Sequence, residues 1–236
     1  MPACPGGQTV PSGAMHILDQ NGWHRRATFL HFRAFEQPYF NLCTELDVTA
    51  LKGFLAPLAD KRFFLAYHYL ALRALNSVEE FRHRLQGDDV VVHDTVHGST
   101  TVLRSDDSFA FADLVLHDAW EVFALHAAAA IAQAQDTRTG FSPTQAETNV
   151  VHFSTLPWVR FTALSHPQRT TAPTAIPKIS FGKLSWDGDR WMLPLSVEVH
   201  HALVDGVHVG RMLERLEAML SQPHDLLAAP PAPLGA

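Results

Sequence analysis

The stretch LPLSVEVHHALVDGVHVGRMLERLE (193–217) constrains the fold more than any other part of the chain. Its first half is an apolar strand-like run. Its second half spaces Val207, Met212, Leu213 and Leu216 as one face of a helix, continued by Leu220. Between the two periods lies a tight polar turn, HHALVDG (200–206). A core strand must therefore run directly into a histidine-rich turn and out into a helix that packs back on the sheet.

Three chemistries are open to that turn. The histidines can satisfy backbone groups in a half-buried corner, although each unsatisfied polar group there costs about 1–3 kcal/mol. A metal centre could draw on His200, His201, Asp205 and His208. Adjacent residues at a strand end, however, point to opposite faces, so His200 and His201 do not share an ion. No second cluster with metal-ligand spacing occurs elsewhere in the sequence. Proton transfer fits better, because an imidazole near its ordinary pKa of about 6.5 can take a proton from a hydroxyl or thiol. Asp205, four residues on and next to a glycine, is placed to brace the turn, and this reading requires a basic partner elsewhere.

Along the rest of the chain, 27–35 and 40–48 read as strands. Thr49 is a candidate N-cap for a helix carrying Leu51, Phe54, Leu55 and Leu58 on one face, and 61–76 is helical in period. Strands are expected near 90–93, 97–103 and 108–113, then an alanine-rich helix over 118–136. Further strands follow at 149–153, 158–164, 176–184 and 191–200, with Asp187-Gly188 as a hairpin turn. The pattern is α+β, a mixed and largely antiparallel sheet with helices packed against it. One domain over 15–225 is expected, with a flexible leader (1–14) and tail (226–236).

The formal net charge of −6 gives no basic footprint for nucleic acid or an anionic membrane. No apolar run reaches the roughly 20 residues of a membrane helix. The first residues lack the basic and apolar regions of a secretory signal. Two cysteines, Cys4 and Cys43, form neither a disulfide framework nor a zinc pattern. A cytoplasmic protein is the expectation.

The motif His-His-x-x-x-Asp-Gly, read here as HHALVDG, is the signature of acyl-CoA-dependent acyltransferases. With FSTLPWVRFTAL (153–164), IPKISFGKL (176–184) and GWHRRATF (22–29) in the same order, the chain resembles the chloramphenicol acetyltransferase family from about Leu18 to Leu220. The resemblance implies a two-layer α/β sandwich and a homotrimer whose active sites lie between subunits. It implies acetyl-CoA as cosubstrate, no metal, and a small-molecule acceptor, with chloramphenicol foremost. His201 matches the catalytic base, oriented in the family partly through its own backbone carbonyl. Asp205 matches the structural aspartate, and Arg25 of the Trp-x-Arg segment is its partner. Ser154 matches the serine that donates to the oxyanion. Ser180 stands where a threonine usually holds a water. On the coenzyme side, Lys61 and Lys183 match lysines near the phosphates and Trp158 lines the tunnel, while Leu184 replaces a commonly aromatic residue. The acceptor side takes His31, Phe32, Phe40 and His152. There Phe32 lacks a usual tyrosine hydroxyl, and His152 replaces an asparagine. These departures keep open an acyltransferase with another alcohol or thiol acceptor, and a coenzyme A-binding trimer without turnover.

Overall fold

The computed structural model describes residues 10, 11, 13–56, 61–137, 148–168 and 174–228. Strand β1 (Met15–Ile17) leads to helix α1 (Arg26–Arg33), strand β2 (Tyr39–Asp47) and helices α2 (Thr49–Leu55) and α3 (Lys61–Asn76). Strands β3 (His83–Gln86), β4 (Asp89–His93), β5 (His97–Leu103) and β6 (Phe109–Leu114) follow, then helix α4 (Trp120–Gln135). The last third holds β7 (Val150–Thr155), β8 (Lys178–Phe181), β9 (Ser185–Asp187), β10 (Arg190–His200), α5 (Gly206–Ser221) and α6 (His224–Leu227).

The main sheet runs β2-β10-β8-β7-β5-β6, with β9 paired to β10. Its β8–β7 and β7–β5 pairs are parallel and the others antiparallel. This is the mixed, largely antiparallel sheet the sequence suggested. A small antiparallel sheet, β1-β4-β3, stands apart.

Period-2 alternation gives the main sheet two unlike faces. Leu195 and Val197 of β10 lie in register with Phe181 and Ile179 of β8, and Ile179 with Phe153 of β7. They are buried in one core with Leu70 and Leu72 of α3 and with Val209, Met212 and Leu216 of α5. The opposite face carries Ser154, Ser180 and Ser196 in one cross-strand row and His152, Lys178 and Glu198 in the next.

Several expectations need correction. The run 27–35 is the helix α1, not a strand. A short apolar run satisfies both periods, and here the helix sends Phe29 into the core while Phe32, three residues on, reaches the turn after β10. The expected strand at 158–164 is absent: the chain turns at 157–158, and Trp158 and Val159 stay exposed. The stretch 176–184 keeps only β8, because the chain leaves the ladder at Gly182. A Cβ there would meet Pro194 Cβ at 2.8 Å and Val159 O at 3.0 Å. Thr49 does not cap α2; its backbone N–H donates to Asp47 Oδ1 (2.9 Å) and its hydroxyl accepts from Trp191 N–H (2.8 Å). The Asp-Gly hairpin forms as expected, with Gly188 at φ +70°. Buried residues also occur just outside 15–225, at Val10 and Leu227.

Candidate active site

Strand β10 ends at His200, and the next residue leaves the sheet in the turn before α5. The two histidines part as strand geometry requires. His200 is 2% exposed and lies edge-on to Tyr39, and its Nδ1 accepts from Ala202 N–H at 3.3 Å. Burial pushes its pKa down to about 4, helped by His201 and Arg33, so it is neutral. His201 turns the other way. Its ring stacks on Phe32 (centroids 3.8 Å, planes 14° apart) and lies 4.8 Å from Phe40, while its backbone N–H donates to Pro38 O.

Nδ1 of His201 is 3.2 Å from Asp205 Oδ1, but among the described residues no donor–acceptor alignment there meets hydrogen-bond geometry. Stacking on Phe32 therefore sets the ring plane, with Asp205 beside Nδ1, and the bond to its own backbone carbonyl that the resemblance implied is not formed among the described residues. Nε2 remains the nitrogen free to act.

Arg25 reaches Asp205 across 180 residues of sequence, with Nη1 2.9 Å from Oδ2 and Nη2 3.0 Å from Oδ1. This is the basic partner that the turn required. Burial lowers the pKa of Arg25, opposed by the charges of Asp205 and Glu80. A two-pronged contact of this kind fixes the carboxylate in orientation as well as position. His208, named from the sequence only as a possible metal ligand, sits in the same cluster: its Nδ1 is 2.9 Å from Asp205 N and 3.2 Å from Arg25 Nη1.

A second group gathers on the polar face of the sheet. Ser154 pairs with Ser180, and His152 with Lys178. The Ser180 hydroxyl, which the resemblance assigned to a water, contacts His166 Nε2 at 3.1 Å. His166 N–H donates to Glu198 Oε2 (3.2 Å), and Lys178 Nζ lies 3.4 Å from Glu198 Oε1. Burial, with the charges of Lys178, Arg84 and His166, pushes the His152 pKa down to about 4. A cleft of about 1080 Å³ opens on this side, between Arg33, Phe35 and Tyr39 and the residues His166, Glu198 and His200.

The structure thus assembles His201, Phe32, Phe40, Asp205 and Arg25 in one place and His152, Ser154 and Ser180 in another. His201 lies with Phe40 on the core side of the sheet, whereas Ser154 projects from the polar face. Ser154 shares the row of Ser180 and Ser196, two strands over and five residues along β10 from His201. That is roughly 20 Å at ordinary strand spacings. His31 is exposed on α1, 4.9 Å from Phe32. Trp158 is 64% exposed, and its loop joins the exposed Lys183 through the bond from Lys183 N–H to Val159 O. Lys61 begins α3, and its side chain lies outside the described residues. Sequence reasoning missed His166, Glu198 and Glu80. His166 and Glu198 are separated by 32 residues and carry no local motif. Among the described residues no three histidine, cysteine or acidic side chains group as metal ligands, and no helix is long and apolar enough to cross a membrane.

Comparison with known proteins agrees with the fold. The profile of the family described as chloramphenicol acetyltransferase matches residues 14–217. A chloramphenicol acetyltransferase of Escherichia coli is 30% identical over 201 residues, 85% of this chain and 91% of the relative. Chloramphenicol acetyltransferase 2 of the same organism is 33% identical over 204 residues, 86% and 95% of the two chains. Among solved structures, a chloramphenicol acetyltransferase superposes with TM-score 0.75 at 24% identity, covering 88% of this chain and all of the other. The cubic core of a pyruvate dehydrogenase multienzyme complex superposes with TM-score 0.62 at 22% identity, covering 96% and 99%.

Proposed function

The chain belongs to the chloramphenicol acetyltransferase family, and on that premise we propose that it transfers the acetyl group of acetyl-CoA to a hydroxyl of chloramphenicol. The observation that carries the reading is the setting of His201. Its ring is held flat on Phe32, Nδ1 is turned to an Asp205 gripped by Arg25, and Nε2 is left free.

In this reading Nε2 of His201 takes the proton of the acceptor hydroxyl as that oxygen attacks the thioester carbonyl. The tetrahedral oxyanion accepts a hydrogen bond from Ser154 Oγ, a contact worth about 10²–10³ in rate for one donor of this type. Collapse breaks the carbon–sulfur bond, and the proton on His201 passes to the departing sulfur. The products are the acetyl ester and free coenzyme A. Lys61, Lys183 and Trp158 serve the coenzyme side, with Lys183 and Trp158 already exposed on adjoining segments. His31, Phe32, Phe40 and His152 border the acceptor.

Since His201 and Ser154 lie on opposite faces of one chain, the complete site joins His201 of one subunit to Ser154 of a neighbour. A closed homotrimer of a single acetyltransferase domain, 15–225, meets that need. The protein works in the cytoplasm, where acetyl-CoA is supplied.

A second reading, the same chemistry on a different alcohol or thiol, is favoured by two features of the acceptor side. Phe32 offers no hydroxyl, and the Ser180 hydroxyl is engaged by His166. Release of coenzyme A thiol from acetyl-CoA separates the readings, measured with and without chloramphenicol for wild type and His201→Ala. Chloramphenicol-dependent release that disappears in the variant supports the first reading. Release that depends on His201 but only with another acceptor selects the second. No release with any acceptor, from protein that binds acetyl-CoA, leaves a non-catalytic binding trimer.

A further inference from the structure

We propose that His208 is a positioning residue for acetyl transfer, which locks Asp205, and through it His201, by a contact that only its neutral Nε2–H tautomer can make. The proposal rests on the reading of His201 as the base.

His208 is the third residue of α5, where a helix often closes its first turn by reaching back to the N-cap backbone with a glutamate or glutamine. Here an imidazole does so. Its Nδ1 accepts the backbone N–H of Asp205 at 2.9 Å, and the same nitrogen faces Arg25 Nη1 at 3.2 Å. Neither a backbone amide nor a guanidinium can accept a hydrogen bond, so Nδ1 carries no proton. The ring proton therefore sits on Nε2, and the group 3.3 Å from Nε2 is Glu80 Oε1, an acceptor. Every polar contact of the ring is satisfied by one protonation state. At 4% exposure the ring itself is closed to substrate, so it acts only through its neighbours. Burial and the charges of Arg25 and Arg211 depress its pKa, against Glu80 and Asp205, which agrees with a neutral ring.

The consequence concerns Asp205, which is held at both ends. Its backbone nitrogen is held by His208 and its carboxylate by Arg25, which also reaches His208. The oxygen nearest His201, Oδ1, is one of those held by Arg25. Removing the Nδ1 acceptor orphans the Asp205 N–H and takes a contact from Arg25, so the Asp205 backbone can shift and carry the carboxylate and its arginine relative to His201. A displacement of about 1 Å at a reacting group can cost 10²-fold in rate.

Two variants separate the Nδ1 acceptor from the bulk of the ring. The side-chain oxygen of His208→Asn falls near Nδ1 and keeps the acceptor for Asp205 and Arg25 while losing Glu80. His208→Leu keeps similar bulk, loses Glu80 as well, and offers no acceptor to Asp205 or Arg25, whereas glutamine at this position could itself reach back to the Asp205 N–H. We expect His208→Asn to retain kcat within about 3-fold of wild type and His208→Leu to lose about 10- to 100-fold, with KM for acetyl-CoA and acceptor little changed. Equal kcat in the two variants, or a loss that merely follows the folded fraction in thermal melts, overturns the proposal. Ring ¹⁵N resonances of the wild type decide the tautomer without any turnover. A neutral Nε2–H ring from about pH 8 to 6 supports the lock, and a protonated or Nδ1–H ring refutes it. Turnover in wild type that survives His201→Ala would instead overturn the reading of His201, not the tautomer assignment.

Discussion

Neither Ser154→Ala nor His201→Ala protein should turn over at more than a small residue of the wild-type rate, yet the two should restore each other when mixed. Within one chain the two groups stand roughly 20 Å apart and on opposite faces of the main sheet, too far for one tetrahedral intermediate to touch both. If each site takes its histidine from one subunit and its serine from the next, a random mixture gives each site an even chance of either intact group. About a quarter of all sites then regain both, whatever the number of subunits in the ring. Separately, the serine variant should lose about 10²–10³ in rate and the histidine variant about 10²–10⁴. The recovered quarter therefore stands far above either background. The assay is acetyl-CoA-dependent thiol release after the two variants are co-unfolded and refolded, with differently tagged chains showing that mixed rings have formed. No recovery in a sample that demonstrably contains mixed rings would refute the reasoning, since a site built within one chain cannot be complemented.

Three further outcomes follow from the same geometry. Asp205→Asn should lower stability to urea unfolding by about 1–3 kcal/mol, less than the 3–5 of a fully buried pair because Asp205 is partly exposed; a change under about 0.5 kcal/mol would mean that Arg25 is not stranded by the loss. His83, His93 and His200 are buried with pKa values pushed down to about 4, so the unfolded chain binds protons that the folded one refuses. Their contribution to stability is full above about pH 6.5 and falls by on the order of 2 kcal/mol each by pH 5. Thermal melts from pH 8 to 5 should show a steep decline below pH 6.5, and a flat profile would contradict the burial of neutral imidazoles. Gly182→Ala should cost about 1–3 kcal/mol, because Pro194 and the Val159 carbonyl occupy the space of the new methyl group; an unchanged melting temperature would show that β8 and β10 separate there freely.

Much of the fold was legible because β10 and α5 obey their periods without ambiguity, and the Asp187-Gly188 turn has one strong solution. The segment 27–35 was not, since its apolar residues suit either period and only the core decides that Phe29 and Phe32 must share a helix. Of the small sheet only β4 was legible, as the strand expected near 90–93; β1 is three residues long and exposed throughout, with no alternation to read. At the site, charge logic alone demanded a cation for Asp205, and the resemblance pointed to Arg25. The roles of His208, His166 and Glu198 depend on where backbone groups and distant strands fall, which no spacing in the chain encodes. The separation of His201 from Ser154 likewise appears only when sheet order and face are both known.

Acetyl transfer to chloramphenicol can be read in the product itself. Chloramphenicol and acetyl-CoA would be incubated with wild type and with His201→Ala, and the antibiotic recovered and weighed by mass spectrometry. Chloramphenicol carrying one added acetyl group as an oxygen ester, formed by wild type and absent with the variant, is the expected outcome. Unmodified chloramphenicol from folded wild type that binds acetyl-CoA would contradict it.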